Sequence, residues 1–427
     1  MTLFVADSVQ FVMLSFEGPD LFSMAGGLGI RATEVCTCLA SMGYETHLYF
    51  VGDPNLSPQE LFKGIHLHRW SQWLSSANPG GCYMAEEAKV NDMATSLPEA
   101  LINELIVPAA QKGKLTVILA EEWQTVPTVL SLRSLLEKRE LSEEALILWN
   151  ANNTYGFKGI NWNDLKNACS ITTVSRYMKH LMWSLALNPM VVHNGIPDRL
   201  FNPVKEEDKE RLKEIFPDLL VSKVGRYDVD KRWIMAIKSI GVLKRQGLKP
   251  TLLARGGKEF HRCEVKAEAH RQGLDWQEIH LPVGSSKETI FAELEKYKGA
   301  DVLELCFFVP EEFINIMYAG SDCVLANSGH EPFGLVGLEV MACGGLVFVG
   351  STGEDYAQTM INSIVVETED ELEIVEYIRT LMQDEPLCRR IKQEARHNAG
   401  QYVWEIIMRD LFQKIRFIAA SKGIKIK

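Results

Sequence analysis

"EPFGLVGLE", residues 331–339, places a glutamate at each end of an apolar segment, eight positions apart. Just upstream, "CVLANS" (323–328) has the short apolar composition of a buried strand, and "GHEP" (329–332) turns the chain. Pro332 suits a helix start, because its missing N–H would lack a partner in the first turn anyway. The stretch therefore reads as strand, turn, helix, with the helix beginning near Phe333. Free N–H groups and the positive dipole end make such a start an anion site. Glu331 lies just before it, and Glu339 about five residues into the helix, ~7–8 Å further along at about 1.5 Å per residue. Two hydroxyl-accepting carboxylates flanking an anion match the outline of a sugar nucleotide.

The same alternation extends outward. "VSKVGRY" (221–227), "TLLARGG" (251–257), "DVLELCFF" (301–308), "GLVFVGS" (345–351) and "NSIVVE" (362–367) are short apolar runs separated by helical patterns. Earlier, "QFVMLSF" (10–16), "ETHLYFVG" (45–52), "LTVILA" (115–120), "ALILWNA" (145–151), "SITTVS" (170–175) and "MVVHNG" (190–195) form a second such series. Each predicts a doubly wound parallel sheet, so the expectation is α/β with two Rossmann-like domains facing a central cleft. The proline-bracketed, charged stretch 197–218 suits the connection, with the boundary near Asn202. A chain of 427 residues is long for one hydrophobic core, in keeping with two domains.

Composition limits the partners. With 46% hydrophobic and 24% charged residues the chain reads as globular, and a formal net charge of -11 argues against duplex nucleic acid or an anionic membrane surface. Nine cysteines include no CxxC and no zinc spacing, so a reduced, cytoplasmic setting without structural metal is expected. Cys36 and Cys38 fall inside a helical pattern, where packing explains them. No apolar run approaches the roughly 20 residues that span a bilayer, and the start carries no signal-peptide pattern.

"VGRYDVDKRW" (224–233) carries Arg226 and, five residues on, Lys231; "SFEGPDLFSMAGGLGI" (15–30) feeds a strand into a glycine-rich helix start. With 331–339, these segments resemble the retaining glycosyltransferases of GT-B fold, the group of glycogen and starch synthases and sucrose-phosphate synthases. The resemblance covers nearly the whole chain, including "VVHNGIPDRLFNP" (191–203) and the final "YVWEIIMRDL" (402–411), which is similar to the family's helix that returns to the first domain. It implies an acceptor-binding domain over 1–202, joined by the returning helix 400–427, and a nucleotide-sugar-binding domain over 203–399.

By the same resemblance Glu331 contacts the donor hexose and Glu339 the ribose, with Phe333, Gly334 and Leu335 lining the helix start. Arg226 and Lys231 hold the diphosphate, Arg as a fork and Lys as a point charge, binding it more strongly as charge develops. Gly26, Gly27 and Gly29 let backbone approach the diphosphate. The resemblance implies transfer of a hexosyl group, glucosyl first, from UDP- or ADP-glucose with retention, the diphosphate taking the acceptor proton. No metal or other cofactor is expected; "DVD" (228–230) reads as turn filler.

The chain departs from the pattern at Met24, where the synthases carry lysine, at Glu121 of "EEWQT" (121–125), where they carry histidine, and at Arg232 and Trp233, where the family usually has a glycine beginning the helix. The first two departures favour a small sugar or sugar phosphate, fructose 6-phosphate first, over a glucan chain. Arg31 and Arg176 are then candidate phosphate ligands. A glucan transferase stays open, since "GGLG" (26–29) resembles the glucan synthases; so do a sugar-nucleotide 2-epimerase and a non-catalytic nucleotide-sugar binding module.

Overall fold

The computed structural model describes residues 4–424 and 426. Two compact units divide the chain, one of 1–195 with 404–427 and one of 196–403.

The first unit is built on an eight-stranded sheet: β1 (Val9–Leu14), β2 (Glu45–Val51), β3 (Gln59–Phe62), β4 (Ile65–Trp70), β5 (Leu115–Glu121), β6 (Ala145–Ala151), β7 (Ser170–Thr173) and β8 (Met190–Val191), in the order β3-β4-β2-β1-β5-β6-β7-β8. All pairs are parallel except β3 with β4. β1, β5 and β6 are buried along their whole length, as near-continuous apolar strands covered on both faces must be. The edge strand β3 is mostly exposed and carries no apolar run, which is why sequence patterning misses it.

The helix Trp404–Ser421 belongs to this unit. It buries Trp404, Ile407, Met408, Leu411, Phe412, Ile415, Ile418 and Ala419, a three-and-four spacing that makes one apolar stripe. Phe412 packs among Phe4, Phe11 and Tyr44, with ring centroids 5.1–5.7 Å apart. Burying one such aromatic contributes roughly 1.5–3 kcal/mol, so the stripe gives the helix a strong reason to dock.

The second unit carries seven parallel strands: β9 (Leu219–Val224), β10 (Pro250–Arg255), β11 (Trp276–Ile279), β12 (Val302–Leu305), β13 (Cys323–Ala326), β14 (Val347–Val349) and β15 (Ile364–Val365), in the order β11-β12-β10-β9-β13-β14-β15. Two apolar clusters cover its faces, one around Trp233, Ile237 and Phe348, the other around Phe291, Phe313 and Ile316.

The chain passes between units at 195/196 and 403/404, a few residues from the boundaries expected near 202 and 400. Ile196 forms a parallel bridge with Val403 and donates its N–H to the Tyr402 carbonyl at 2.8 Å, while the Arg396 guanidinium bonds the Phe201 carbonyl. Those bonds tie 196–201 to the second unit despite its linker-like composition. Among the described residues no helix is long and apolar enough to cross a membrane.

Candidate functional site

β9 and β13 are neighbours at the centre of the second sheet, yet the chain leaves β9 toward β10 on one side and β13 toward β14 on the other. The crevice beyond the carboxyl ends of two such strands is where open α/β sheets bind ligands. Two turns fill that edge, 225–232 after β9 and 327–334 after β13. They are bonded to each other: the Gly329 N–H donates to the Asp230 carbonyl at 2.6 Å, and the Lys231 ammonium is bonded to the Glu331 carboxylate. Residues 100 positions apart thus meet at one point. The two side chains keep 27% and 18% of their surface, leaving the pair open to a ligand.

Each turn is held from below. Trp233 is fully buried against Tyr227, ring centroids 4.6 Å apart, and its Nε1–H donates to the Arg226 carbonyl at 2.8 Å. Arg226 itself is exposed, and no ion pair engages its guanidinium among the described residues. Of the two residues standing where the resemblance leads one to expect a glycine, Arg232 adopts that residue's left-handed backbone, φ +49°. Its guanidinium is bonded to Glu369. Asp228 accepts the Asp230 N–H at 3.0 Å and so caps the turn with its side chain.

Lys223, the fifth residue of β9, escaped the sequence reading because it sits inside an apolar run. Its ammonium is buried over the Trp233 ring and donates to the Leu325 carbonyl at 3.1 Å and to Asn327 Oδ1 at 2.7 Å. Burial, with Lys231 and Arg232 nearby, holds this amine well below the usual lysine range.

The helix after β13 runs Leu335–Ala342, two residues later than expected. Gly334 precedes it at φ +75°, a conformation open to glycine, so Pro332 belongs to the turn. Phe333 is an anchor rather than a surface contact: it is 2% exposed and lies against the rings of Tyr356 and Tyr402, at 5.9 and 6.1 Å. Leu335 is half-buried at the first helical position. Glu339 is half-buried too, with the Tyr318 hydroxyl donating to Oε2 at 3.2 Å; burial pushes its carboxyl up to about 7.

A segment the sequence reading passed over, "GSTGEDY" (350–356), straps the turn in place. The Glu331 N–H donates to Thr352 Oγ1 at 2.9 Å, and that hydroxyl donates back to the Glu331 carbonyl at 3.2 Å. The Tyr356 hydroxyl bonds the Gly334 carbonyl. A Cβ on Gly353 would collide with the carbonyls of Glu331 and Pro332, so the two backbones lie flat on one another. The available signal was a glycine-rich run directly after a strand.

In the first unit the candidates fare differently. The helix Gly27–Ser41 starts at the glycine run, but two of the N–H groups there are taken: Gly26 and Gly29 donate to Glu17 Oε2 at 2.9 and 3.0 Å, and the Tyr83 hydroxyl donates to Oε1 at 2.6 Å. The chain's own carboxylate occupies the anion position that the glycines were expected to offer a diphosphate. Gly27 alone of the three keeps open space around it.

Arg31 is likewise committed. It is 6% exposed, with Nε 3.2 Å from both Glu121 carboxylate oxygens and Nη1 bonded to Asn194. Asn150 and Asn152 also donate to Glu121, at 2.9 and 2.7 Å. In this network Arg31 is held by protein partners, and Glu121, the departure from histidine, is the one that makes a buried arginine tolerable. Arg176 is exposed at the first position of the helix Arg176–Trp183, whose cap is Ser175.

Residues 204–398 match the family described as Glycosyl transferases group 1. A D-inositol 3-phosphate glycosyltransferase of Geodermatophilus obscurus is 26% identical over 142 residues, 32% of this chain; the match spans about a third (31%) of that relative's length. Among solved structures, a sucrose-phosphate synthase from Thermosynechococcus elongatus is similar at TM-score 0.68 with 18% identity, covering 97% of this chain and 100% of its own. The catalytic domain of starch synthase IV from Arabidopsis thaliana, bound to ADP and acarbose, is similar at TM-score 0.61 with 16% identity over 94% of this chain and 99% of its own. The chain therefore has the GT-B fold, and it is its residues 204–398 that match the group 1 glycosyl transferases.

Proposed function

We propose that the protein is a retaining glycosyltransferase that moves a hexosyl group, glucosyl first, from a nucleotide sugar such as UDP- or ADP-glucose to a small sugar or sugar-phosphate acceptor. The observation that carries the reading is the meeting of Lys231 with Glu331 at the carboxyl ends of β9 and β13. One cation and one carboxylate at the same point suit a diphosphate joined to a hexose.

In this reading Lys231 and the exposed Arg226 take up the charge that grows on the leaving diphosphate, with the N-terminus of Leu335–Ala342 as a third source of positive potential. Glu331 accepts from hexose hydroxyls and Glu339 from the ribose. The bond from the anomeric carbon to the diphosphate oxygen breaks, the acceptor oxygen bonds the anomeric carbon on the same face, and the acceptor proton passes to the departing diphosphate. Two cations and a helix end neutralise the diphosphate, so no metal is required. All nine cysteines are free thiols, which suits a reducing cytoplasm. With Arg31 committed to Glu121, Arg176 is the remaining candidate of the two for an acceptor phosphate, and fructose 6-phosphate is the first such acceptor to assay.

The test is to incubate the protein with UDP-, ADP- and GDP-glucose in turn and follow nucleotide release with and without hexoses, hexose phosphates, glycerate and glycogen. Acceptor-dependent release giving an α-linked product from an α-linked donor is expected. An inverted product would overturn retention, and extension of glycogen with no transfer to any small sugar would overturn the acceptor assignment.

A further inference from the structure

Glu354 is 6% exposed, in the strap 350–356, and nothing in the transfer reaction uses it. Its Oε2 accepts the Thr352 N–H at 3.1 Å, but its Oε1 is buried without a partner. That oxygen lies beneath the turn: a Cβ on Gly334 would sit 3.1 Å from it and one on Gly350 3.2 Å, and the Glu354 Cγ would lie 2.8 Å from the former. The side chain thus fills the space that Gly334 leaves open directly before the helix Leu335–Ala342.

The charged groups around it come from three segments. Glu331, in the turn after β13, acts against ionisation; Lys231, in the turn after β9, favours it but is already bonded to Glu331. Its own segment adds Asp355 and the buried hydroxyl of Tyr356, and the first turn of the helix above has no ionisable side chain before Glu339. A buried carboxylate with one unpaired oxygen beside a second carboxylate is costly, and a neutral carboxyl is the inexpensive form. Burial and Glu331 together push Glu354 up to about 8.

Resting on the reading of this edge as the donor site, we propose that Glu354 is a positioning residue: its neutral carboxyl props the turn that presents Glu331 and the helix N-terminus, and loss of its proton places a second negative charge behind Glu331 and ends transfer on the alkaline side. The sign follows from linkage. The folded form holds a proton that the unfolded chain gives up near pH 4.5, so the Glu354 contribution to stability falls as pH rises from there to about 8, then levels off.

The test compares wild type with Glu354→Gln, which keeps the shape and cannot ionise, and Glu354→Ala, which empties the space. Two readouts are followed from pH 5 to 10: kcat and KM for acceptor-dependent nucleotide release, and the thermal midpoint, which requires no activity. Wild-type kcat is expected to fall about tenfold per pH unit above the transition, as one proton dictates, with Glu354→Gln lacking that limb and Glu354→Ala slow throughout. The midpoint of Glu354→Gln should gain on wild type between pH 5 and 8. Turnover with the same alkaline limb in Glu354→Gln, or midpoints that run parallel in pH, overturns the proposal. No turnover with any donor, together with diverging midpoints, upholds the neutral carboxyl and overturns the transferase reading instead.

Discussion

Replacing Lys231 by alanine removes the cation bonded to Glu331. With the partners 27% and 18% exposed, the pair stands between exposed ion pairs, worth about 0–1 kcal/mol, and buried ones, whose breaking costs about 3–5 kcal/mol. A double-mutant cycle of Lys231→Ala with Glu331→Gln should therefore give a coupling of ~1–2 kcal/mol. Transfer suffers more, because the lost charge acts mainly where negative charge develops: loss of one preorganised donor costs about 10²–10³ in kcat. UDP or ADP alone loses one charge-assisted hydrogen bond, ~1.5–3 kcal/mol, or about 10- to 150-fold in Kd.

Glu331→Gln should act in the opposite sense on the nucleotide. It removes the anion that already holds Lys231 and that would repel the incoming diphosphate, so UDP or ADP binds as well as in wild type or a few-fold tighter, while hexosyl transfer falls. Calorimetry with the nucleoside diphosphates and initial rates of nucleotide release separate the two effects. Wild-type kcat in Lys231→Ala, or nucleotide affinity lost equally in both single variants, would refute the assignment of the edge.

Glu121→Ala should cost about 3–5 kcal/mol in urea unfolding of the first unit, because it strands the buried Arg31, while Arg31→Met with Glu121→Leu recovers most of it; a single-variant loss under about 1 kcal/mol would contradict a structural pair. Gly353→Ala should lower kcat at least about tenfold at unchanged circular dichroism, since its Cβ pushes the Glu331–Pro332 backbone away from its place; wild-type rates would show that the strap does not set the turn. Activity should persist in excess EDTA, and full loss restored by Mg²⁺ or Mn²⁺ would return "DVD" to consideration as a metal ligand.

Local pattern made much of this protein legible. Strand, turn and helix around 225–233 and 327–342 follow from apolar runs, glycine and proline, and they place Arg226, Lys231, Glu331 and Glu339 on one sheet edge whichever partners they take. The sequence alone also marked Glu121 and Arg232 as departures. What those departures mean was decided in three dimensions. Arg232 supplies a left-handed backbone and a bond to Glu369, and Glu121 neutralises an arginine 90 residues away. The glycines at 26–29 read as an open anion site because nothing local shows that Glu17 folds back onto their N–H groups. Phe333, in the turn after β13, reads as a contact but is buried among tyrosines from two later segments. Glu354 could not be weighed at all without knowing that Gly334 lies above it and Glu331 beside it. Backbone conformation answers to neighbours within a few residues, so sequence determines it well; hydrogen-bond partners, burial and proton affinity answer to neighbours in space, which strand order alone brings together.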